Sequence, residues 1–334
     1  MSGRQQISRP DKVLYPDSAL TKADLAAHFE RVADVMLPHL ARRPLVLHRF
    51  PDGLDAGGFY QKQAPHGAPL ATVTVPAQNE RGHVEHLLVD NVDGLRYLAN
   101  QAVIELHRWL SSADDLDHPD LLVIDLDPPP QRDLATLRRA VRATRDLLGE
   151  IGLTPYLMAT GSRGYHVVAP LDRTADFDDV RGLARAVADR LADAAPDELT
   201  TEHRIAKRGN RIYLDTNRNA YAQTAVAPYS PRARPGAPVA TPLDFTELSR
   251  AEPDGHDTVS IARRLARKAD PWSDMAAHAG SAARARAALT DVRDVNASEE
   301  RPGSGADHRG GGLFTDRAEM DVRPGARARF CPVA

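Results

Sequence analysis

The sequence predicts a mixed α/β (α+β) fold built around a central sheet. Strand and helix patterns alternate from residue 121 to residue 215, as in chains that pack helices against a sheet. The segment LLVID, residues 121–125, has no polar alternation, which is typical of a strand buried on both faces. The segment that follows it carries an apolar helical stripe made by Leu134, Leu137, Val141 and Leu148.

The composition excludes several classes of protein. A net charge of −3 means that any nucleic-acid binding must depend on local basic patches. The single cysteine, Cys331, excludes an internal disulfide framework and a cysteine-based zinc finger. The chain has no apolar run of about 20 residues and no apolar signal-peptide core at its N-terminus. We therefore expect a cytoplasmic protein with no membrane association.

In the N-terminal half, the first predicted element is a helix in TKADLAAHFERVADVMLPHL, with Thr21 as its N-cap and Asp24 three residues later. RRPLVLHRF then predicts a strand, and GGFYQKQAP its hairpin partner. The segment from residue 84 to residue 111 mixes a short strand with a helix. This pattern places His107 on the flank of a helix.

In the C-terminal half, RDLATLRRAVRATRDLLGEIG predicts a helix that stops at Gly152. Two strands joined by GSRG are predicted in PYLMAT and YHVVAPL. A helix is predicted in DFDDVRGLARAVADRLADAAP, and a strand that ends in Asp215 is predicted in RIYLD. NASEERPGSGADHRGGG is too poor in apolar residues to fold. We predict one domain over residues 1–285 and a low-complexity, disordered tail over residues 286–334.

Three aspartates at strand ends are candidate metal ligands and catalytic residues. Asp125 and Asp127 point to the same side of an extended strand, where their mutual repulsion is relieved by Mg²⁺ or Mn²⁺. Asp215 supplies a third carboxylate, which matches the needs of two-metal phosphoryl transfer. The alternatives are an acidic loop in which one aspartate caps the next helix, and a turn-initiating role for Asp215.

The segment TGSRGYHVV, residues 160–168, resembles a phosphate-binding loop. Gly161 and Gly164 would let backbone N–H groups turn towards an anion, and Ser162, Arg163 and His166 can donate to phosphate oxygens. The alternative is a plain hairpin with an exposed arginine and a partly buried histidine. A proline-rich segment adds Arg232 and Arg234, either as fixed cations for a triphosphate or as solvated surface residues.

Basic residues also gather in the first 62 positions, with two aromatic residues among them. Cations beside aromatic rings suit phosphate and base-stacking contacts with DNA, although a solvated charged face is the alternative. The basic residues are Arg9, Lys12, Lys22, Arg42, Arg43, Arg49 and Lys62, and the aromatic ones are Phe59 and Tyr60.

These segments together resemble the polymerase domain of bacterial ligase D, a member of the archaeo-eukaryotic primase superfamily. The resemblance covers residues 6 to 275, and several long motifs occur in one order. They include RPDKVLYPDSALTKADLAAHF, GFYQKQAP, IELHRWLS, VIDLDPPP, TGSRGYHVVAPL, YLDTNRNAYAQTAVAPYSPRARPGAPVATPL and IARRLARKADPW. The resemblance implies a primase-polymerase fold, in which an RRM-like catalytic sheet module packs with a second α/β unit. It also implies a template-directed nucleotidyltransferase that favours ribonucleotides and often Mn²⁺.

The resemblance also implies roles for individual residues. Asp125, Asp127 and Asp215 match the family's metal-binding acids, and Ser162, Arg163, His166 and Arg232 match residues that contact the triphosphate. His107 matches a histidine near the nucleotide sugar. Lys12 and Lys22 match lysines that bind the 5′-phosphate of a gapped or broken DNA end, where Phe59 would stack on the template and Lys62 would add charge. Arg9, His48 and Arg218 depart from the family pattern, and His48 weakens the expected charge near the nucleotide.

The family acts in non-homologous end joining beside Ku and a ligase, which implies nucleoid association. The sequence shows no ligase lysine motif, so we expect this chain to need a separate DNA ligase. Three alternatives stay open on the sequence. They are a primase that starts strands without a primer, a non-catalytic module that binds DNA 5′-phosphate ends, and a metal phosphoesterase.

Overall fold

The computed structural model describes residues 6–76, 82–131 and 133–299, with side chains described as far as residue 290. The predicted mixed α/β fold is confirmed. The helices of this part of the chain are α1 Lys22–Leu40, α2 Val92–Asn100, α3 Leu134–Glu150, α4 Phe177–Ala194, α5 Ile205–Arg208, α6 Ser260–Leu265 and α7 Ala282–Glu299. None of these helices has the length and apolar character needed to cross a membrane.

The strands form four sheets in the described residues. In chain order they are β1 Val13–Tyr15, β2 Leu20–Thr21, β3 Leu45–Arg49, β4 Phe59–Gln61, β5 Thr72–Pro76, β6 His83–Leu87, β7 Val103–Trp109, β8 Leu121–Asp127, β9 Tyr156–Ala159, β10 Tyr165–Pro170, β11 Leu199–Thr200, β12 Ile212–Asp215, β13 Thr224–Val226 and β14 Thr241–Leu243. The two large sheets have the orders β11-β12-β8-β10-β9-β14 and β13-β7-β3-β4, and β1-β2 and β5-β6 form two-stranded sheets.

Helices α3 and α4 cover one face of the six-stranded sheet. Leu122, Ile124 and Leu126 of β8 belong to a buried cluster that also contains apolar residues of α3 and α4. Because successive strand residues face opposite sides, Leu121, Val123, Asp125 and Asp127 point away from these helices. The predicted burial of LLVID on both faces is confirmed, since Leu121 and Val123 belong to a second buried cluster with Trp272.

The four-stranded sheet packs against α1 and α2. Its apolar residues join Phe29, Val32 and Met36 of α1 in a third buried cluster. The helix α1 begins as predicted, because the Thr21 hydroxyl accepts from the Asp24 N–H and the Asp24 carboxylate accepts from the Thr21 N–H. The predicted hairpin of β3 and β4 is confirmed, with Leu47 opposite Gln61.

Two sequence predictions differ from the structure. His107 does not flank a helix but lies inside β7, because α2 ends at Asn100 and a buried strand follows directly. The predicted domain boundary at residue 285 falls inside α7, where Ala285 and Leu289 are buried in the cluster that covers the six-stranded sheet. The tail from residue 300 onwards, including Cys331, lies outside the described residues, so its predicted disorder stays a prediction.

Candidate active site

Strand pairing aligns three polar residues in one row across the six-stranded sheet. On β8, Asp125 lies opposite His166 of β10 on one side and opposite Asp215 of β12 on the other. Asp127 follows on the same face two residues later and lies opposite Tyr213. The three predicted acids and the predicted histidine are therefore neighbours, and they line one cavity of about 180 Å³.

The same cavity contains five of the residues that were predicted to bind the nucleotide, namely His107, Ser162, Arg163, His166 and Arg232. Its lining comes from both large sheets and from the loops that join them. The lining residues are His107, Asp125, Asp127, Thr160, Ser162, Arg163, Gly164, His166, Asp215, Arg218, Val226 and Arg232. The cavity therefore combines the three acids with the cationic side chains of Arg163, Arg218 and Arg232.

Each of the three acids, Asp125, Asp127 and Asp215, has a partner of its own. Asp125 Oδ2 lies 3.5 Å from His166 Nε2 and 3.6 Å from Arg218 Nε. Asp127 Oδ1 accepts a hydrogen bond of 3.1 Å from Arg163. Asp215 Oδ1 accepts from the backbone N–H of Asn217 at 2.8 Å.

The two acids of β8 have pKa values displaced in opposite directions. Burial alone would raise the pKa of Asp125, but the neighbouring charges of His166 and Arg218 outweigh it and hold the pKa below its ordinary value. Burial raises the pKa of Asp127 above its ordinary value, and Arg163 offsets this only in part. Asp125 is therefore the more strongly anionic of the pair.

The glycines of the GSRG segment act through close packing. Gly161 has φ +64, and a Cβ there would lie 2.7 Å from Arg232 Cγ, so only glycine fits beside that side chain. A Cβ on Gly164 would lie 2.0 Å from the carbonyl oxygen of Leu126 on β8. The Gly161 N–H donates to the Pro253 carbonyl at 2.8 Å, so the expectation that it turns towards an anion is wrong.

His166 is buried at the floor of the cavity. Its exposed fraction is 4%, and its Nδ1 is a buried nitrogen without a hydrogen-bond partner among the described residues. A buried polar atom left unpaired is costly, and this one belongs to a residue of the cavity wall. The position suits a residue that completes its hydrogen bonding when a ligand is present.

Glu105 of β7 organises the opposite wall, and sequence reasoning missed it. Its carboxylate accepts from His48 Nδ1 at 3.0 Å, His107 Nε2 at 3.1 Å and Arg232 Nε at 3.0 Å, and also from the Ala233 N–H at 2.8 Å. Burial alone would raise its pKa, but these partners hold the pKa far below its ordinary value. Glu105 therefore stays negatively charged and holds the His107 ring in one orientation.

Arg232 connects the two large sheets across the cavity. Its guanidinium donates to Glu105 from one side and, through Nη1, to the carbonyl oxygen of Thr160 at the end of β9. It remains in the cavity wall, with 16% of its side chain exposed. Arg234 lies two residues beyond Arg232 and is not part of the cavity lining.

The predicted DNA-binding residues fall into two groups outside the cavity. Lys22 is buried and donates from Nζ to the Ser8 carbonyl at 2.8 Å. Burial lowers the pKa of Lys22, and the nearby charges of Arg9 and Lys12 lower it further. Lys12 forms an ion pair of 2.9 Å with the exposed Asp52. Arg9, Lys12 and Lys22 form the Lys12–Lys22 cluster, in which the Lys22 N–H donates to the Lys12 carbonyl and the Lys12 N–H to the Arg9 carbonyl.

The second group lies on the edge strand of the four-stranded sheet. Phe59 is 48% exposed, with the Arg49 guanidinium 5.5 Å from its ring centre, and Lys62 is exposed just beyond β4. Tyr60 faces the other side, where its ring stacks on His48 at 4.1 Å. The aromatic residues of β4 therefore offer two separate stacking surfaces, one on each face of the sheet.

Comparison with known proteins agrees with this architecture. The family model described as the primase-polymerase domain of LigD matches residues 21–272. This chain belongs to the LigD primase-polymerase family. The resemblance noted in the sequence is thereby confirmed.

Relatives of the LigD family align over most of the chain. The LigD protein of Mycobacterium tuberculosis, named a multifunctional non-homologous end joining DNA repair protein, is 32% identical over 90% of this chain. LigD of Pseudomonas aeruginosa is 32% identical over 85%, and the bifunctional LigD of Bacillus subtilis 29% identical over 80%. The chain spans 34 to 44% of the length of these relatives.

A solved LigD structure shares the fold. The polymerase domain of Mycobacterium tuberculosis Ligase D, determined in complex with DNA, superposes with a TM-score of 0.77 at 33% identity. The match covers 83% of this chain and 99% of that one. The two large sheets and the cavity between them therefore lie within a known LigD architecture.

The acids of the cavity have the donor chemistry of a divalent-cation site. Their oxygen ligands are those that Mg²⁺ and Mn²⁺ prefer, and the three lie on neighbouring strands. Within residues whose side chains are described, no three acidic, histidine or cysteine side chains converge as a ready ligand set. Asp125 and Asp127 instead contact cations. A bound cation would exchange these ion pairs for metal contacts.

Proposed function

We propose that this chain is a template-directed nucleotidyltransferase that adds nucleotides, ribonucleotides included, to DNA 3′ ends at gaps and double-strand breaks. The observation that carries the proposal is the single cavity that joins three strand-end acids to a set of phosphate-binding side chains. Membership of the LigD family supports it. Neither a primer-independent primase nor a non-catalytic end-binding module is favoured by these findings.

In the proposed reaction, the 3′-hydroxyl of a primer attacks the α-phosphate of a nucleoside triphosphate. The new P–O bond forms as the bond to the leaving pyrophosphate breaks, and the hydroxyl loses its proton. Ser162, Arg163 and His166 bind the triphosphate from the β10 side of the cavity, where charge-assisted donors hold it in line. Arg232 adds positive charge beside the triphosphate, and His107 contacts the ribose.

Asp125, Asp127 and Asp215 would hold one or two Mg²⁺ or Mn²⁺ ions. When bound, such ions lower the pKa of the attacking hydroxyl and neutralise charge on the triphosphate.

At the DNA end, Lys12 and Lys22 bind the downstream 5′-phosphate, and Phe59 with Lys62 contacts the adjoining template. The exposed ring of Phe59 suits base stacking. The solved relative was determined in complex with DNA, which supports DNA binding in general. As part of the proposal, the protein works beside Ku and a DNA ligase, associated with the nucleoid in the cytoplasm.

The decisive experiment extends a gapped DNA duplex, with and without a 5′-phosphate, in Mg²⁺ or Mn²⁺ and with rNTP or dNTP. We expect Asp125→Asn, Asp127→Asn and Asp215→Asn to lower the rate by about a hundredfold or more while the protein stays folded. The exposed Asp146→Asn on α3 is the matched control and should retain the wild-type rate. Unchanged extension by the active-site variants would refute the proposal.

A further inference from the structure

A second polar groove lies at the edge of the six-stranded sheet. It exists because β11 pairs only with Ile212 and Tyr213, so the edge of β12 is uncovered from Leu214 onwards. The groove has a volume of about 550 Å³. Its polar lining comes from α4, the end of β12 and the segment after β11, and includes Arg181, Arg185, Thr201, His203, Thr216 and Asn217.

The side chains of this groove suit a sugar-phosphate backbone. Arg181, Arg185 and His203 supply cationic or cation-forming groups, against one acidic side chain of the lining, Asp189. Arg185 is exposed, and Arg181 Nε is a buried nitrogen without a hydrogen-bond partner among the described residues. Arginines interspersed with hydroxyl and amide groups are the usual protein contacts of nucleic-acid phosphates and sugars.

The groove adjoins Asp215 of the active-site cavity. Asn217 lines the groove, and its backbone N–H donates to Asp215 Oδ1 at 2.8 Å. Tyr213 also lines the groove, with its hydroxyl 3.4 Å from the same oxygen. A chain of nucleotides in the groove would therefore end beside Asp215.

The proposed position of the triphosphate, taken with the order of the strands, sets the direction of attack. The triphosphate-binding residues Arg163 and His166 belong to the β10 side, followed by the acids of β8, Asp215 of β12 and then the groove. In-line displacement requires the attacking hydroxyl to lie opposite the leaving group. With the pyrophosphate on the β10 side, the hydroxyl has to arrive from the β12 side, where the groove opens.

We propose that this groove binds the phosphodiester backbone of the primer strand immediately upstream of its 3′-hydroxyl. The inference rests on the proposed nucleotidyltransferase function and assigns the primer a surface distinct from the Lys12–Lys22 cluster, which takes the downstream 5′-phosphate. The short helix α5 follows the groove residue His203 in the chain, and its N-cap residue Arg204 and its Lys207 are exposed cations. Arg181 and Arg185 make the principal phosphate contacts.

The test uses the full chain with a DNA primer–template duplex and the variants Arg185→Glu and Arg181→Ala/Arg185→Ala. We expect the dissociation constant for the duplex and the KM for the primer to rise about tenfold, and the slope of log affinity against log salt to fall by about one per arginine removed. The KM for NTP and the preference for a downstream 5′-phosphate should stay at wild-type values. Arg142→Glu, an exposed charge change on α3, is the control and should alter none of these quantities.

Three outcomes would overturn the inference. If the wild-type protein extends primers but both variants keep its primer KM and salt slope, the groove does not bind the primer, and the proposed function stands without it. An equal rise in the KM for NTP would show general damage to the site and would also contradict the assignment. If the wild-type protein adds no nucleotide to any primer, the proposed function fails and the inference fails with it.

Discussion

At the scale of single residues, Glu105 shows how one buried carboxylate sets the positions of several other side chains. It accepts four hydrogen bonds from groups on three separate segments. His48 is one of these donors. In this chain, His48 is held by Glu105 and stacked against Tyr60, so it contributes to the wall of the site by packing.

Glu105→Gln should weaken nucleotide binding. The amide cannot hold Arg232 and two histidines as strongly as a carboxylate, because charged hydrogen bonds are about twice as strong as neutral ones. We expect the KM for NTP to rise about tenfold, measured by primer extension, with the primer KM unchanged.

His48→Gln is the matched comparison for Glu105→Gln, because it removes a single partner and should have a smaller effect. Glu105→Ala should in addition cost about 3–5 kcal/mol of stability, since it leaves Arg232 without its buried partner. A wild-type KM for NTP in Glu105→Gln would show that the carboxylate does not position the site.

The acids of the site could be predicted from the sequence, whereas Glu105 could not. Asp125, Asp127 and Asp215 end apolar strands, and this position itself indicates function. Glu105 lies inside a strand, and its partners His48 and Arg232 are 57 and 127 positions away. No local pattern reveals such a contact. The wrong placement of His107 has a similar origin, since β7 follows α2 after only two residues.

At the scale of elements, the contact of β8 with β10 depends on a residue without a side chain. A Cβ at position 164 would lie 2.0 Å from the Leu126 carbonyl oxygen, which belongs to the backbone and cannot rotate away. The strands would have to separate where His166 faces Asp125. The sequence revealed this glycine but led to a different interpretation of it, because a phosphate loop and a close strand contact use the same residue type.

Gly164→Ala should therefore destabilise the fold and also impair the site. We expect a loss of about 1–3 kcal/mol in the free energy of unfolding, measured by denaturant titration, together with a lower rate of nucleotide addition. The control is Gly149→Ala in α3, where a Cβ meets nothing within 4 Å. That substitution should be neutral or should stabilise by up to about 1 kcal/mol. Equal effects of the two substitutions would contradict the argument.

At the scale of the whole molecule, stability should depend on pH through buried histidines. His28 is fully buried in the packing of α1, and burial lowers its pKa from 6.5 to about 4, a shift that its hydrogen bond to the Tyr229 carbonyl offsets only in part. Burial also lowers the pKa of His39, His86 and His107. Below pH 6.5 the unfolded chain takes up protons that the folded chain refuses, so acid favours unfolding.

We expect the free energy of unfolding to fall by about 1.5 kcal/mol for His28 alone between pH 6.5 and pH 5. Denaturant titrations at several pH values measure this slope, and His28→Phe should reduce it. The partly exposed His118 supplies the control variant His118→Gln, because the pKa of His118 is raised and its removal cannot flatten the curve. A slope unaltered by His28→Phe would exclude His28 as its source.

The whole-molecule charge gave little guide to function. The net charge of −3 does not reveal that cations are gathered locally, around the cavity, in the Lys12–Lys22 cluster and in the groove beside β12. The N-terminal cluster could be anticipated from neighbouring positions in the sequence. The groove could not, since it joins α4 to the end of β12 across more than 20 intervening residues.

The alignment of His166, Asp125 and Asp215 over three strands has a consequence for engineering this protein. Adjacent residues of a strand face opposite sides of the sheet. An insertion or deletion of one residue inside β8, β10 or β12 would thus turn the site residue of that strand towards the buried apolar layer beneath α3 and α4. Changes in chain length should be tolerated only in connections that carry no site residue, which excludes the GSRG segment before β10, so libraries and fusion points belong in those other connections.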